Sequence, residues 1–289
     1  MASKLKNAGL ALAVTGGLAI GGYSLYDQEE KKESPVVETN VTELVTDETK
    51  STEVKRDWNR YILPDTIEDH QIVEKTYYTL SFNLKHKQAD WVAYKMLPFP
   101  DSISVDRKSA FKADPEVVGG SATLDDYHGK KGYDRGHLAP AKAMSFNAKA
   151  MKESFFLSNM SPQISGFNRG IWKSLEGAVY NQSKISDSMY VVSCPVLNNP
   201  KKTIGDSKVS VPRYYYKTVL RYYKGEVTAI GFLLENKKYD TGASYKDYAI
   251  SIDSIEQITG IDFYQQLNDD IETQVESNSD VSKCIQPIN

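Results

Sequence analysis

The stretch DRGH, residues 134–137, places two opposite charges beside a glycine and one of the chain's four histidines. Near neutral pH an uncharged imidazole can take a proton from an attacking water molecule. A neighbouring guanidinium can bind a phosphate and stabilise the extra negative charge that develops on it. Arg135 and His137 therefore indicate phosphodiester hydrolysis, with the histidine as general base at the end of a strand.

A second stretch, residues 155–176, supplies polar groups that could bind a divalent cation. Here FFLS is strand-like and leads through a turn into an amphipathic helix that starts near Asn168. Asn168, Trp172 and Glu176 are each four residues apart, so Asn168 and Glu176 can face one site while Trp172 packs in the core. A single amide oxygen leaves most of the coordination to water and phosphate, as is common for Mg²⁺. Asn168 could also cap the helix, a role compatible with ligation.

Strands and helices must position these groups, and their sequence patterns predict an α+β fold with a mixed, mainly antiparallel sheet. Runs rich in β-branched and aromatic residues predict strands at residues 76–83, 90–96, 188–197, 213–223 and 226–235. The turn Lys224-Gly225 joins the last two strands and favours an antiparallel hairpin. Apolar periodicity predicts helices at residues 170–183 and 251–260, and the pattern continues through residues 263–267.

The first 56 residues have a different composition from the rest. Lys4 and Lys6 precede an uncharged run at residues 7–26, which is typical of a signal peptide or of an uncleaved membrane anchor. Residues 27–56 are acidic and poor in large apolar side chains, which predicts a disordered linker before a folded domain at residues 57–289. The two lysines favour an exported domain, in the periplasm, at the cell surface or secreted, over mitochondrial import.

The net charge limits which partners the domain can bind, and the cysteine count limits the number of disulfides. The net charge of −3 divides into −4 for residues 27–56, +2 for the two amino-terminal lysines and −1 for residues 57–289. A nearly neutral domain lacks the strongly basic footprint of a high-affinity DNA-binding domain, so any polyanion must meet a local cluster of cations. Cys194 and Cys284 could form one disulfide or remain two buried thiols.

The order DRGH, LSNMSPQ and N-x-x-x-W-x-x-x-E resembles the DNA/RNA non-specific endonuclease family, which includes secreted Serratia-type nucleases and mitochondrial endonuclease G. The resemblance extends over about residues 58–267. It implies a ββα-metal site and Mg²⁺- or Mn²⁺-dependent hydrolysis of DNA and RNA that leaves 5′-phosphate ends. It also implies a role for each of six residues: His137 as general base, Asn168 as metal ligand, Arg135 and Arg107 as phosphate contacts, Asn159 in orienting the phosphate, and Glu176 in holding a water molecule of the metal.

Other residues have less specific interpretations. Asp134 is expected to pair locally, and His70, His86 and His128 are expected to be surface histidines. The tyrosines at residues 214–216 could stack on bases, but alternating aromatic residues on a sheet favour packing. Two other functions remain open: hydrolysis of another phosphodiester, and non-catalytic binding of nucleic acid by a surface-anchored protein.

Overall fold

The computed structural model describes residues 62–107, 110–129 and 132–286. The predicted signal or anchor segment, the linker and the first residues of the predicted domain lie outside these ranges. In the described residues no helix has both the length and the apolar character needed to cross a membrane.

Eleven strands are formed by the described residues. In chain order they are β1 (Gln71–Glu74), β2 (Tyr78–Asn83), β3 (Gln88–Met96), β4 (Tyr133–His137), β5 (Met160–Ile164), β6 (Ser188–Pro195), β7 (Lys202–Ile204), β8 (Val209–Val211), β9 (Tyr214–Tyr223), β10 (Glu226–Glu235) and β11 (Ala249–Ile250). Seven of them form one sheet in the order β1-β2-β3-β6-β9-β10-β11, and every neighbouring pair is antiparallel. The pairs β4–β5 and β7–β8 are separate ribbons.

The helices lie between and after the strands. They are α1 (Leu124–Tyr127), α2 (Ala148–Glu153), α3 (Ser165–Phe167), α4 (Lys173–Ser183), α5 (Ile252–Thr259), α6 (Asp269–Glu276) and α7 (Val281–Cys284). A π-helical segment, Asn168–Trp172, joins α3 to α4. Together with the antiparallel sheet, these helices confirm the predicted α+β class.

The central sheet packs on both faces because successive side chains of a strand point to opposite sides. On β9, Tyr215 and Val219 belong to the apolar cluster that contains Trp172. The alternate residues Tyr216 and Leu220 belong to a second cluster, which contains residues of α5. The sheet therefore separates the face that carries the ββα unit from the face covered by α5 and α6.

The hairpin between β9 and β10 has the predicted turn. Lys224 and Gly225 both have positive φ, 51° and 79°. Two successive left-handed residues form the type I′ turn that matches the right-handed twist of the two strands. This local prediction is confirmed, as are the positions of both strands within one residue.

Other predicted elements were misplaced. FFLS is not a strand, because Leu157–Asn159 is a short 3₁₀ turn and β5 begins only at Met160. The apolar pattern of residues 263–267 does not continue a helix. Helix α5 ends at Gly260, and Phe263 lies in irregular backbone with its side chain buried. Buried aromatic side chains anchor a loop as well as a helix, so an apolar pattern alone does not distinguish the two.

Cys194 and Cys284 are both free and fully buried, in different apolar clusters. Burial raises the pKa of both thiols. Of the two alternatives that the sequence left open, the buried-thiol interpretation is confirmed.

Candidate active site

The candidate site is built on a ββα unit. Strand β4 pairs antiparallel with β5, so that His137, the last residue of β4, lies opposite Met160. The α3–π–α4 helical segment follows β5 directly. Gly136 is required within this ribbon because a Cβ atom at that position would overlap the side chain of Gln163. Close packing of the two strands thus accounts for the glycine in DRGH.

The helix after β5 begins at Ser165, earlier than its apolar pattern predicts. Gly170, with φ −104° and ψ −114°, interrupts the α-helical geometry within the π segment. Asn168 has helical backbone angles of −56° and −45°, so it lies inside the helix and the alternative of a simple N-terminal cap is wrong. Single π turns inside helices are frequent at functional sites.

A cleft of about 1020 Å³ opens along this unit. Five of the six residues predicted for the site line it: Arg107, Arg135, His137, Asn168 and Glu176. Trp172, between Asn168 and Glu176 in the four-residue spacing, is fully buried, as predicted. The spacing therefore places the amide and the carboxylate in one cleft despite the π segment.

Asn159 is the exception. It is fully buried, its Oδ1 accepts a hydrogen bond from the Ala139 amide at 2.8 Å, and its Nδ2 donates to the carbonyls of Ala139 and Ser154. Both amide hydrogens are used by backbone groups, which corrects the expected phosphate contact. Asn159 instead fixes the chain that leaves His137.

Two aromatic rings hold the imidazole of His137. The Phe155 ring meets it edge to face, with centroids 5.0 Å apart, and the Phe111 ring lies 5.8 Å away. Nε2 is buried and has no hydrogen-bond partner among the described residues, so the ring presents its Nδ1 edge to the cleft. Burial and, second, the charge of Arg107 lower the pKa of His137 to about 3, which keeps the imidazole neutral.

The same two rings also support the arginines. The Arg135 guanidinium lies 4.4 Å from the Phe111 centroid, and that of Arg107 lies 5.4 Å from the Phe155 centroid. Both arginines are exposed, and neither forms an ion pair within the described ranges. Stacking on aromatic faces orients guanidinium groups while leaving their N–H donors free. Neither phenylalanine could be singled out from residue type or spacing alone.

Asp134 connects β4 to the helix. Its carboxylate accepts hydrogen bonds from Asn168 Nδ2 at 2.9 Å, from Ser165 Oγ at 2.9 Å, and from Nε and Nη2 of Arg169 at 2.8 Å. Burial raises the pKa of Asp134, but these hydrogen bonds outweigh it and hold the pKa below its ordinary value. Asp134 thus pairs locally, as predicted. Because the Asn168 amide nitrogen faces Asp134, its oxygen is left for the cleft.

Lys217 is a site residue that sequence reasoning missed. It is fully buried on β9, where its Nζ donates to Ser193 Oγ at 2.9 Å and lies 4.7 Å from the Trp172 ring centroid. Burial raises the pKa of Glu176, and the charge of Lys217 opposes that rise. The available signal was a lone lysine within the otherwise buried segment of a central strand, since lysine is almost never fully buried without a partner.

The cleft is positively charged although the domain is not. Among the described residues, six cationic side chains line it, against three acidic ones: Arg107, Arg135, Lys142, Arg169, Lys173 and Lys184, against Asp101, Asp134 and Glu176. The expected local cluster of cations is therefore present.

The remaining histidines and the tyrosine run lie away from this chemistry. His70 bonds Asp90 at 2.6 Å, His86 bonds Ser210 at 2.8 Å, and neither these residues nor the exposed His128 line the cleft. Tyr215 is buried and stacks on Phe167, which agrees with packing and not with base stacking.

The fold and the cleft define a nuclease of the ββα type. The sequence profile of the DNA/RNA non-specific endonuclease family matches residues 60–270, and the chain belongs to that family. It is therefore a hydrolase with endonuclease activity on DNA and RNA.

Individual relatives agree with this assignment. Nuclease C1 of Cunninghamella echinulata var. echinulata is 33% identical over 71% of this chain and 86% of its own length. The mitochondrial nuclease EXOG of Xenopus laevis is 30% identical over 90% of this chain and 72% of its own. A crystal structure of the EndoG/EndoGI complex has a TM-score of 0.63 at 28% identity, covering 68% of this chain and 86% of that chain.

Proposed function

We propose that the protein is a Mg²⁺-dependent endonuclease that hydrolyses DNA and RNA without sequence preference. The observation that carries the proposal is the arrangement at the cleft: the two rings that contact a neutral His137 also hold two arginines, which form no ion pair with any described residue. On the neighbouring helix, Asn168 has an oxygen free for a cation.

The residues present fit a hard divalent cation. Asn168 offers a neutral amide oxygen, and Glu176 adds a carboxylate in the same cleft. Oxygen donors with few protein ligands suit Mg²⁺, which usually keeps several of its waters; Mn²⁺ would be accepted by the same donors. When bound, the cation would polarise the phosphate and stabilise charge on the leaving oxygen. Asn168 would bind it directly, and Glu176 would hold a water molecule in place.

His137 would accept the proton of the attacking water molecule. In the free protein burial and, second, the Arg107 charge lower its pKa, which weakens it as a base. A phosphate bound to Arg107 would offset that charge, so the imidazole would become more basic when substrate is present. Phe111 and Phe155 would keep the ring in position during the proton transfer.

Arg107 and Arg135 would contact the phosphate on either side of His137. Contacts to phosphates position a nucleic acid but do not read its bases, which accounts for an absence of sequence preference. Lys173, exposed on the helix and without an ion-pair partner in the described part of the chain, would extend this contact along the backbone. Cleavage of the P–O3′ bond would leave 5′-phosphate and 3′-hydroxyl ends, as the family resemblance implies.

Two alternatives are disfavoured by the cleft. A phosphodiesterase for small molecules would use a pocket that encloses its ligand, of about 300–1,000 Å³ and mostly apolar. The cleft, of about 1020 Å³, is as large as the largest such pockets, but cations predominate among its charged groups, which favours a polyanion. A non-catalytic binding protein would not need a neutral histidine beside an amide oxygen, and both are present.

The test is incubation of the full chain with supercoiled plasmid and with RNA, in Mg²⁺, in Mn²⁺ and in EDTA. We expect internal cleavage of both polymers with divalent metal only, and ends that accept label from a kinase only after phosphatase treatment. A bis(aryl) phosphate hydrolysed while both polymers stay intact would favour the small-molecule alternative. Intact substrates throughout would contradict the proposed function.

We further propose an exported location, on the basis of residues 1–56 of the sequence. The related mitochondrial nucleases make import into an organelle the competing location. Protease added to intact cells or spheroplasts should degrade an exported or surface-anchored domain. Full protection of the domain in the cytoplasm would contradict export and leave the enzymatic proposal unaffected.

A further inference from the structure

A cluster of five carboxylates lies on the α5–α6 side of the central sheet. Asp253 and Glu256 are three residues apart on α5, and Glu272 and Glu276 are four apart on α6, so each pair shares a helix face. Asp262 lies on the loop between the helices. Carboxylate oxygens of two triads that share Glu276 come within 4.8 Å of one another: Asp253, Glu256 and Glu276, and Asp262, Glu272 and Glu276.

Glu276 has the environment of a ligand and not that of a surface acid. Its exposed fraction is only 7%, and its Oε1 is buried without a hydrogen-bond partner among the described residues. It is also the last residue of α6, where the helix dipole disfavours negative charge. Burial, followed by the charges of the four surrounding carboxyls, raises the pKa of Glu276 to about 8.

No described cation neutralises this charge. None of the five carboxylates forms an ion pair with a described lysine, arginine or histidine. The hydrogen bond that the Glu256 carboxylate accepts, from the Phe263 amide at 2.9 Å, does not neutralise its charge. Buried charges that are not paired usually coordinate metals.

We propose that Asp253, Glu256, Asp262, Glu272 and Glu276 form a Ca²⁺ site, with Glu276 as the common ligand. Ca²⁺ accepts six to eight oxygen ligands in flexible geometry, whereas Mg²⁺ is usually held by one or two carboxylates. The absence of nitrogen and sulfur donors from both triads disfavours zinc. Asp262 is exposed, so the ion can enter from solvent. The site is structural, because it joins α5 to α6, and it does not depend on the proposed nuclease chemistry.

The test uses the full chain with the substitution Asn168→Ala, which removes the proposed catalytic ligand and so reports on the second site alone. After removal of metal with EDTA and buffer exchange, Ca²⁺ should bind in calorimetry. It should also raise Tm by about 5–10 °C at about 100 times its Kd. Adding Glu276→Gln should abolish both effects. The Tm of this variant without metal should not fall, because glutamine replaces a buried carboxyl that pairs with no described cation; an unchanged Tm would show that the fold is kept.

Two further variants make the test specific. Glu272→Gln, at a half-buried position, should weaken Ca²⁺ binding at least tenfold. Asp270→Asn removes one charge from the exposed side of the same helix and should leave binding unchanged. The proposal is overturned if the Asn168→Ala protein shows no Ca²⁺-dependent rise in Tm. It is equally overturned if Glu276→Gln keeps the full rise, or if Asp270→Asn loses it to the same extent.

Discussion

The carboxylate of Asp134 controls the orientation of the proposed metal ligand, and three substitutions can separate its contacts. Oδ2 accepts from both Asn168 Nδ2 and Arg169 Nε, while Oδ1 accepts from Ser165 Oγ and Arg169 Nη2. Asp134→Ala removes the partner that fixes the Asn168 amide. Arg169→Ala breaks only the ion pair, whose arginine is largely exposed.

The expected magnitudes follow from these contacts. Loss of a group that orients a metal ligand typically costs about 10–100-fold in metal affinity or activity, or about 1.4–2.7 kcal/mol. Asp134→Ala should therefore raise the Mg²⁺ concentration for half-maximal cleavage by about that factor, and excess Mg²⁺ should restore part of the rate. Asp134→Asn can keep its oxygen toward Asn168 and turn its NH₂ toward Ser165, so its effect should be smaller. Arg169→Ala removes an exposed ion pair and should change the midpoint less than about threefold.

The assay is plasmid nicking at a fixed protein concentration over a wide range of Mg²⁺, with circular dichroism to establish that each variant is folded. The order of midpoints should be Asp134→Ala above Asp134→Asn, with Arg169→Ala nearest to the wild type. An unchanged midpoint in Asp134→Ala would refute the orienting role of this carboxylate. If Arg169→Ala were as damaging as Asp134→Ala, the ion pair would matter more than the amide orientation.

The other predictions concern the base, a buried lysine and a close strand pair. His137→Ala should reduce the cleavage rate by about 10²–10⁴-fold while Mg²⁺ binding in calorimetry is kept; loss of that binding would assign the histidine to the metal instead. In the proposed mechanism Glu176 is ionised when it holds the water molecule. Burial raises its pKa and the charge of Lys217 opposes that rise, so Lys217→Met should move the acidic limb of the pH–rate profile up by about one unit. An unchanged acidic limb would show that Lys217 does not influence the pKa of Glu176. Gly136→Ala should lower the free energy of unfolding in urea by about 1–3 kcal/mol, because the methyl group overlaps Gln163; full stability would contradict the close packing.

Matched controls are available for each of these. His86→Ala changes a histidine that lies outside the cleft. Lys224→Met removes a lysine at the exposed hairpin turn of the strand that carries Lys217. Gly225→Asn replaces a glycine that has open space around it and a backbone angle that asparagine tolerates.

The parts of the site that follow from local chemistry could be predicted from the sequence. DRGH placed His137 at a strand end, and the four-residue spacing placed Asn168 and Glu176 in one cleft. The Lys224-Gly225 turn predicted its hairpin because two left-handed residues are a local signal. These inferences depend only on residue type, short spacing and backbone preference.

The parts that depend on distant contacts could not be predicted. Strand β5 pairs with β4 across more than twenty intervening residues, and no periodicity in MSPQI indicates that pairing. Asn159 was assigned to phosphate because of its place in the motif, but tertiary packing directs its amide to the backbone. The Phe111 ring reaches His137 from outside the three motifs. Each of these features requires knowledge of which segments become neighbours.

Strand β9 connects the candidate active site with the helical layer that carries the acidic cluster. Lys217 points to the cleft side, where it lies against Trp172, while the next residue, Thr218, accepts a hydrogen bond from Tyr264 on the α5–α6 side at 2.9 Å. Alternation along one strand thus supports the candidate active site with one side chain and the helical layer with the next. Because β9 is a central strand with partners on both edges, neither side chain can turn to the other face without breaking its ladder. A cation at Glu276 would therefore act on the cleft only through the stability of the sheet. Substitutions of the acidic cluster should accordingly abolish the Ca²⁺-dependent rise in Tm and leave the Mg²⁺ midpoint of cleavage where it was.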